Sequence, residues 1–141
     1  MTRSNQIIFL DGKEAALKKI FSEHFGYLAL GYDPEELGFQ ESTDGDIESK
    51  GFLELTEGVN NYQRVELRFL SAERDPDTQK VLVKFQADLP TGNITGQRIN
   101  QMAIVDTANT DAKTTYFSAT TFPTFNKTSN SSISFVIGMR L

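Results

Sequence analysis

The chain has 141 residues, a formal net charge of −5, eleven Phe, four Tyr, and neither Cys nor Trp. That length suits one domain burying roughly 70% of the surface its extended chain would expose, and the missing cysteines exclude a disulfide framework and a thiolate zinc site. The acidic balance has the wrong sign for gripping phosphate backbones, and no segment approaches the ~20 apolar residues of a membrane span, so neither nucleic acid nor membrane is expected as a partner.

In chain order, Ile7 to Leu10 reads as a short strand broken by Asp11-Gly12; this apolar run is too short for a signal peptide. Without such a signal the three Asn-x-Ser/Thr sites, at Asn93, Asn126 and Asn130, carry no weight. A cytoplasmic origin or assembly inside a cell is expected. Asp11 with Glu14 three residues on has capping-box spacing. The helix it predicts spans 13–25, with Leu17, Ile20, Phe21 and Phe25 inward and Gly26 as its stop. Tyr27 to Gly31 is an apolar run between turn signals, a buried strand.

Residues 32–58 differ in kind. Pro34, four glycines and nine carboxylates make a long acidic loop, and a loop of that length inside a domain is expected to be functional or ordered by a partner. Phe39, Phe52, Leu53 and Leu55 within it read as anchors. From Tyr62 the pattern is regular: Val65, Leu67 and Phe69 alternate with Arg64, Glu66 and Arg68, and residues 73–77 form a turn. Val81 to Leu89 alternate over five apolar positions, 90–93 turn, and Ile99 to Val105 and Thr114 to Phe122 are further strands, the second ended by Pro123. After a polar connector, Ile133, Phe135, Ile137, Met139 and Leu141 alternate with Ser134, Gly138 and Arg140, so the last residue is expected in the core, closing what is expected to be a complete small domain. The expected fold is mainly β: an antiparallel β sandwich or barrel of about six or seven strands with one N-terminal α-helix, residues 1–141 forming a single domain.

Signals for chemistry are sparse. His24, the only histidine, sits at the expected helix C-terminus beside Glu23, where the dipole favours it. Asp44, Asp46 and Glu48 have the spacing that opens a calcium loop, but Ser49 and Leu55 stand where its glycine and bidentate glutamate belong. Gly92 to Gly96 lacks the Lys of a phosphate loop and reads as a turn or bulge, and no G-x-S-x-G occurs. No catalytic residue, metal ligand or cofactor site is expected.

The succession of features resembles a known group. A short strand and helix lead into Leu28-Ala29-Leu30-Gly31, and an acidic loop ends at Leu53-Glu54-Leu55 and Tyr62-Gln63-Arg64-Val65. An Ile-x-x-Met-Ala-Ile-Val-Asp stretch (Ile99 to Asp106), an aromatic-threonine strand (Phe117 to Phe122), a Phe-x-Lys-Thr connector (Phe125 to Thr128) and the final strand follow. This order is similar to the small β domains of tailed-bacteriophage tail proteins, in particular the N-terminal attachment domains of tail fibres and related baseplate subunits. The resemblance implies a non-enzymatic virion structural protein, assembled in the host cytoplasm and located in the tail. Its partners would be other tail, baseplate or fibre subunits, together with further copies of itself. The resemblance departs in one respect: no fibre shaft or tip of the kind such domains carry is expected after Leu141.

An assembly role makes loop-borne apolar residues candidates for interface anchors. Phe39, Phe52 and Phe125 are the candidates here, and Phe52→Ala is expected to leave the domain folded while weakening assembly. Two alternatives are a carbohydrate-binding β-sandwich module, in which the Thr- and aromatic-rich segment 114–122 meets a sugar, and a capsid decoration or head-fibre protein.

Overall fold

The computed structural model describes residues 6–36, 38–39, 51–56 and 62–141. They form helix α1 (Leu10–Glu23) and six strands: β1 (Tyr27–Gly31), β2 (Val65–Asp75), β3 (Lys80–Leu89), β4 (Arg98–Val105), β5 (Tyr116–Asn126) and β6 (Ile133–Arg140). All neighbours pair antiparallel in one sheet of order β5-β4-β1-β2-β3-β6. The strands therefore belong to one sheet, and a second sheet of a sandwich is not seen among the described residues.

The sheet is curled, and one ring demonstrates it. Phe21 of α1 meets Phe117 of β5 at 4.6 Å and Phe85 of β3 at 5.0 Å between centroids, both edge-on. In a flat sheet β5 and β3 would lie four strand spacings apart, about 19 Å. The outermost strands also converge: Phe135 of β6 lies 6.1 Å from Phe122 and 6.3 Å from Phe125 of β5, and Ser118 Oγ is 3.6 Å from Met139 Sδ. No backbone hydrogen bond joins β5 to β6 among the described residues. The sheet is thus a half-barrel whose two edges meet through side chains alone.

The core lies inside the curl, where Leu28, Leu30, Leu67, Val81, Val83, Phe85, Ile99 and Ile104 gather under Phe21. Burying each large apolar side chain contributes about 1.5–3 kcal/mol. A bulge at Leu70 resets the alternation of β2, so Ala72 takes over inward from Phe69. Ile94, in the turn between β3 and β4, is 1% exposed at φ +43°. Left-handed backbone costs such a residue about 1–2 kcal/mol, which burial of its side chain offsets.

Several boundaries depart from the sequence reading. The helix begins at Leu10 rather than residue 13, and Phe9 occupies the cap position without a side-chain hydrogen bond. Asp11 and Glu14 do not form a capping box; both carboxylates instead meet Arg74 of β2, tying the first turn to the sheet. The apolar Ile7-Ile8-Phe9 has no strand partner among the described residues, although its composition favours one. Strand β2 continues through Glu73 and Arg74 to Asp75, where a break was expected. Pro123 does not end β5, because an edge strand needs no N–H on its outer side and the register with β4 is irregular there, between Ile99 and Gln101.

Candidate functional site

Three places in the fold gather unusual groups. The first is a buried ion-pair node. β2 pairs with β1 only through Leu28, and Gly31 is instead bridged to Glu54, so residues 53–55 replace β2 along the second half of β1. The Leu30 carbonyl accepts from Leu55 N–H at 2.9 Å, and the Leu30 N–H, left without a ladder carbonyl, donates to the Tyr62 hydroxyl at 3.1 Å. That hydroxyl donates to Glu54 Oε2 at 2.5 Å.

Glu54 also receives a two-pronged contact from Arg64, whose Nε and Nη2 donate at 2.9 and 2.8 Å. Arg64 Nη1 reaches the β4–β5 connection, donating to the Thr107 carbonyl and Thr114 Oγ1, each at 2.9 Å. The Arg64 side chain is 2% exposed. Its pairing with Glu54 holds the guanidinium pKa above its usual value, while burial and then the Glu54 carboxylate push the Tyr62 phenol well above 10. Every polar atom of this node points at a protein partner, so it knits two connections to the sheet and presents no free group for chemistry.

The second place is the outer face of β1 and β4. Gln101 accepts from Leu53 N–H at 2.9 Å and donates to the Gly51 carbonyl at 2.8 Å, laying the 51–55 segment across the sheet. Gly31 is required beneath it, since a Cβ there would stand 2.6 Å from the Leu53 carbonyl oxygen. Phe52 packs in this layer with Tyr116 and Phe39 over Ala29, Ala103 and Val105. Beside it, a cavity of about 320 Å³ is lined by Asp33, Glu36, Asn100, Gln101, Thr121 and Phe122 among others. Asn100 spans it, donating to the Asp33 carbonyl at 2.7 Å and to Thr124 at 3.1 Å, and Thr124 donates to Glu36 at 2.6 Å.

The third place is the seam between β5 and β6; the segment before α1 is a separate exposed apolar stretch. Phe122 stacks on Phe125 at 5.7 Å, and both lean on Phe135, with Ile133 and Met139 half-buried alongside. On the outward side of β6, Val136 is 72% exposed. Ile7, Ile8 and Phe9 are 78%, 84% and 71% exposed.

The expected interface residues therefore fall in two groups. Phe52 is 7% exposed and Phe39 half-buried, their rings held by the chain's own outer cluster, whereas Phe125 lies in the seam. His24 is exposed, 3.9 Å from Glu23 beyond the helix end. Asp44, Asp46 and Glu48 lie outside the described residues, and among those described no group of three His, Asp or Glu is placed to hold a metal ion. Sequence reasoning assigned no role to Glu54, Arg64 or Val136. Val136 carried a signal: it is an apolar residue on the otherwise polar face of the last strand.

The chain matches no family model, no curated protein and no solved structure.

Proposed function

We propose that this chain is a non-enzymatic structural subunit acting through protein–protein assembly, in a tailed-phage virion at the tail, baseplate or fibre-attachment region. The observation that carries the assembly reading is the pairing, in one chain, of an exposed apolar segment at Ile7–Phe9 with an outer edge of β6 that no described strand pairs. Isolated monomers normally blunt or cover such edges and avoid contiguous exposed apolar residues, because both recruit other chains. The tail location rests on the order of motifs from Leu28-Ala29-Leu30-Gly31 to the final strand. On this reading the curled sheet is of the barrel type, and assembly completes it.

Immunogold electron microscopy of phage particles from the source of the chain, with antibody against it, tests the location. Label at the tail end is expected. Label on the capsid would make the chain a head decoration or head-fibre protein, and particles without label would overturn the virion reading.

A carbohydrate-binding module is the second reading, favoured by the cavity where carboxylates, amides and Phe122 converge. Glycan binding by the purified chain, abolished by Asn100→Ala, would favour it.

A further inference from the structure

The alternation of hydrogen bonds along β6 defines what its outer edge offers. Val81 and Leu141 exchange both backbone bonds, at 2.8 and 2.9 Å, so they form a hydrogen-bonded pair. Through the regular register that follows, Met139, Ile137, Phe135 and Ile133 also bond to β3. The N–H and C=O groups of Ser134, Val136, Gly138 and Arg140 therefore point away from β3, and no backbone partner meets them among the described residues. The other edge, β5, is blunted by Pro123 and two register irregularities. β6 has neither device: its register is unbroken over eight residues.

The chain also carries a segment suited to that edge. Ile7-Ile8-Phe9 has strand-forming composition and lies in extended backbone at Phe9 (φ −75°, ψ 141°), without a strand partner among the described residues. Phe9 holds the cap position of α1, where Ser, Thr, Asp or Asn would stabilise the helix by about 1 kcal/mol, so this position forgoes a cap in favour of an exposed aromatic ring.

We propose that residues 7–9 of one copy add as a strand to the outer edge of β6 in a second copy, and that two copies exchange these arms reciprocally. Alternation places Ile7 and Phe9 on one face, beside Phe135 and Ile137 at the seam, and Ile8 on the other, beside Val136. Both residues exposed on the outer side, Ile8 and Val136, are thereby covered. Three large apolar side chains supply roughly 400 Å² per arm, so two arms and their two acceptor edges bury on the order of 1,600 Å², the size of a standard stable interface. One arm docked without exchange would bury about half of that, the range of crystal-packing contacts, which is why reciprocal exchange is the committed form.

The inference rests on the assembly reading and has its own test, sedimentation velocity of the full chain with two independent variants. One replaces Ile7, Ile8 and Phe9 with Ser, which leaves Ser at the helix cap. The other is Val136→Pro, which removes an N–H that faces the open edge and leaves the β3–β6 ladder intact. The full chain is expected to sediment as a dimer at micromolar concentration. Each variant is expected to keep the parent circular dichroism spectrum and to weaken dimerisation by about tenfold or more. As the chain has no cysteine, Ile8→Cys with Val136→Cys should also give a disulfide-linked dimer, and Ile8→Cys with Leu70→Cys should not. A monomeric full chain, or a dimer unchanged by both variants, would overturn the arm exchange. The second result would leave the assembly reading standing with its interface elsewhere, whereas virus particles without label would remove the virion reading even if arms exchange in solution.

Discussion

The Arg64 node and the β5–β6 seam are opposite solutions to the same problem, a sheet strand left without its neighbour. At the node, β2 stops short beside β1, and the chain fills the gap with its own atoms: the Tyr62 hydroxyl stands in for a ladder carbonyl and residues 53–55 for a strand. At the seam, the described residues bridge the gap with rings and the Ser118–Met139 contact, and pair no strand with the backbone edge of β6. An unmet buried N–H costs about 1–3 kcal/mol whereas a solvated one costs little, so an interior gap must be filled within the chain. A surface gap can wait for a partner. The comparison separates residues that hold the monomer together from residues that are available to other chains.

Breaking the interior should have the largest effect. Phe21→Ala removes the ring that joins α1 to both β3 and β5, and should cost about 4 kcal/mol, lowering Tm in calorimetry by roughly 10 °C. Arg64→Ala comes next, at about 3 kcal/mol in denaturant unfolding, because it leaves the Glu54 carboxylate half-buried with only Tyr62 as a partner. Arg64→Lys should recover only part of that loss, as an ammonium cannot grip Glu54 with two prongs and also reach Thr107 and Thr114.

Tyr62→Phe sharpens the same side of the comparison. It should cost about 1.5 kcal/mol at neutral pH and change the response to alkali. In the folded chain the Tyr62 pKa lies above its ordinary value of 10.0, chiefly through burial and then through Glu54. The unfolded chain therefore releases this proton first, and the stability present below pH 10 falls as pH rises past that point. Denaturant titrations above pH 10 should show a steeper loss for the parent than for Tyr62→Phe; equal slopes would place the alkaline sensitivity elsewhere. At the small end, Val136→Thr on the open edge should change monomer stability by no more than about 0.5 kcal/mol, measured by denaturant unfolding at a concentration below association. A larger loss would make the open edge part of the monomer's own structure.

Much of the architecture was legible because alternation reports directly on a half-buried strand. Val81 to Leu89 and Ile133 to Leu141 carry that period without interruption, and both strands lie where it placed them. The period fails where the geometry breaks it. The bulge at Leu70 shifts the inward set of β2, which disguised Glu73 to Asp75 as a turn, and Pro123 concealed an edge strand that tolerates it. Curvature was not legible, because whether Phe117 and Phe85 share one contact depends on how six strands twist together. The node was hidden for a similar reason: Glu54, Tyr62, Arg64 and Thr114 meet only where segments far apart in sequence come together. For Ile7 to Phe9, the strand tendency was visible in the sequence while the missing neighbour was not.

The division between a completed interior and an open edge is tested most directly by residue-resolved amide hydrogen exchange on β6. At concentrations where the chain is monomeric, Phe135, Ile137 and Met139, bonded to β3, should be protected, and Ser134, Val136, Gly138 and Arg140 should exchange rapidly. Raising the concentration should protect Val136, the outward amide that the arm's Ile8 meets, while Arg140, beyond the reach of so short an arm, stays in fast exchange. Equal protection of both sets in the monomer would mean that the edge is already closed within one chain, and would contradict the account.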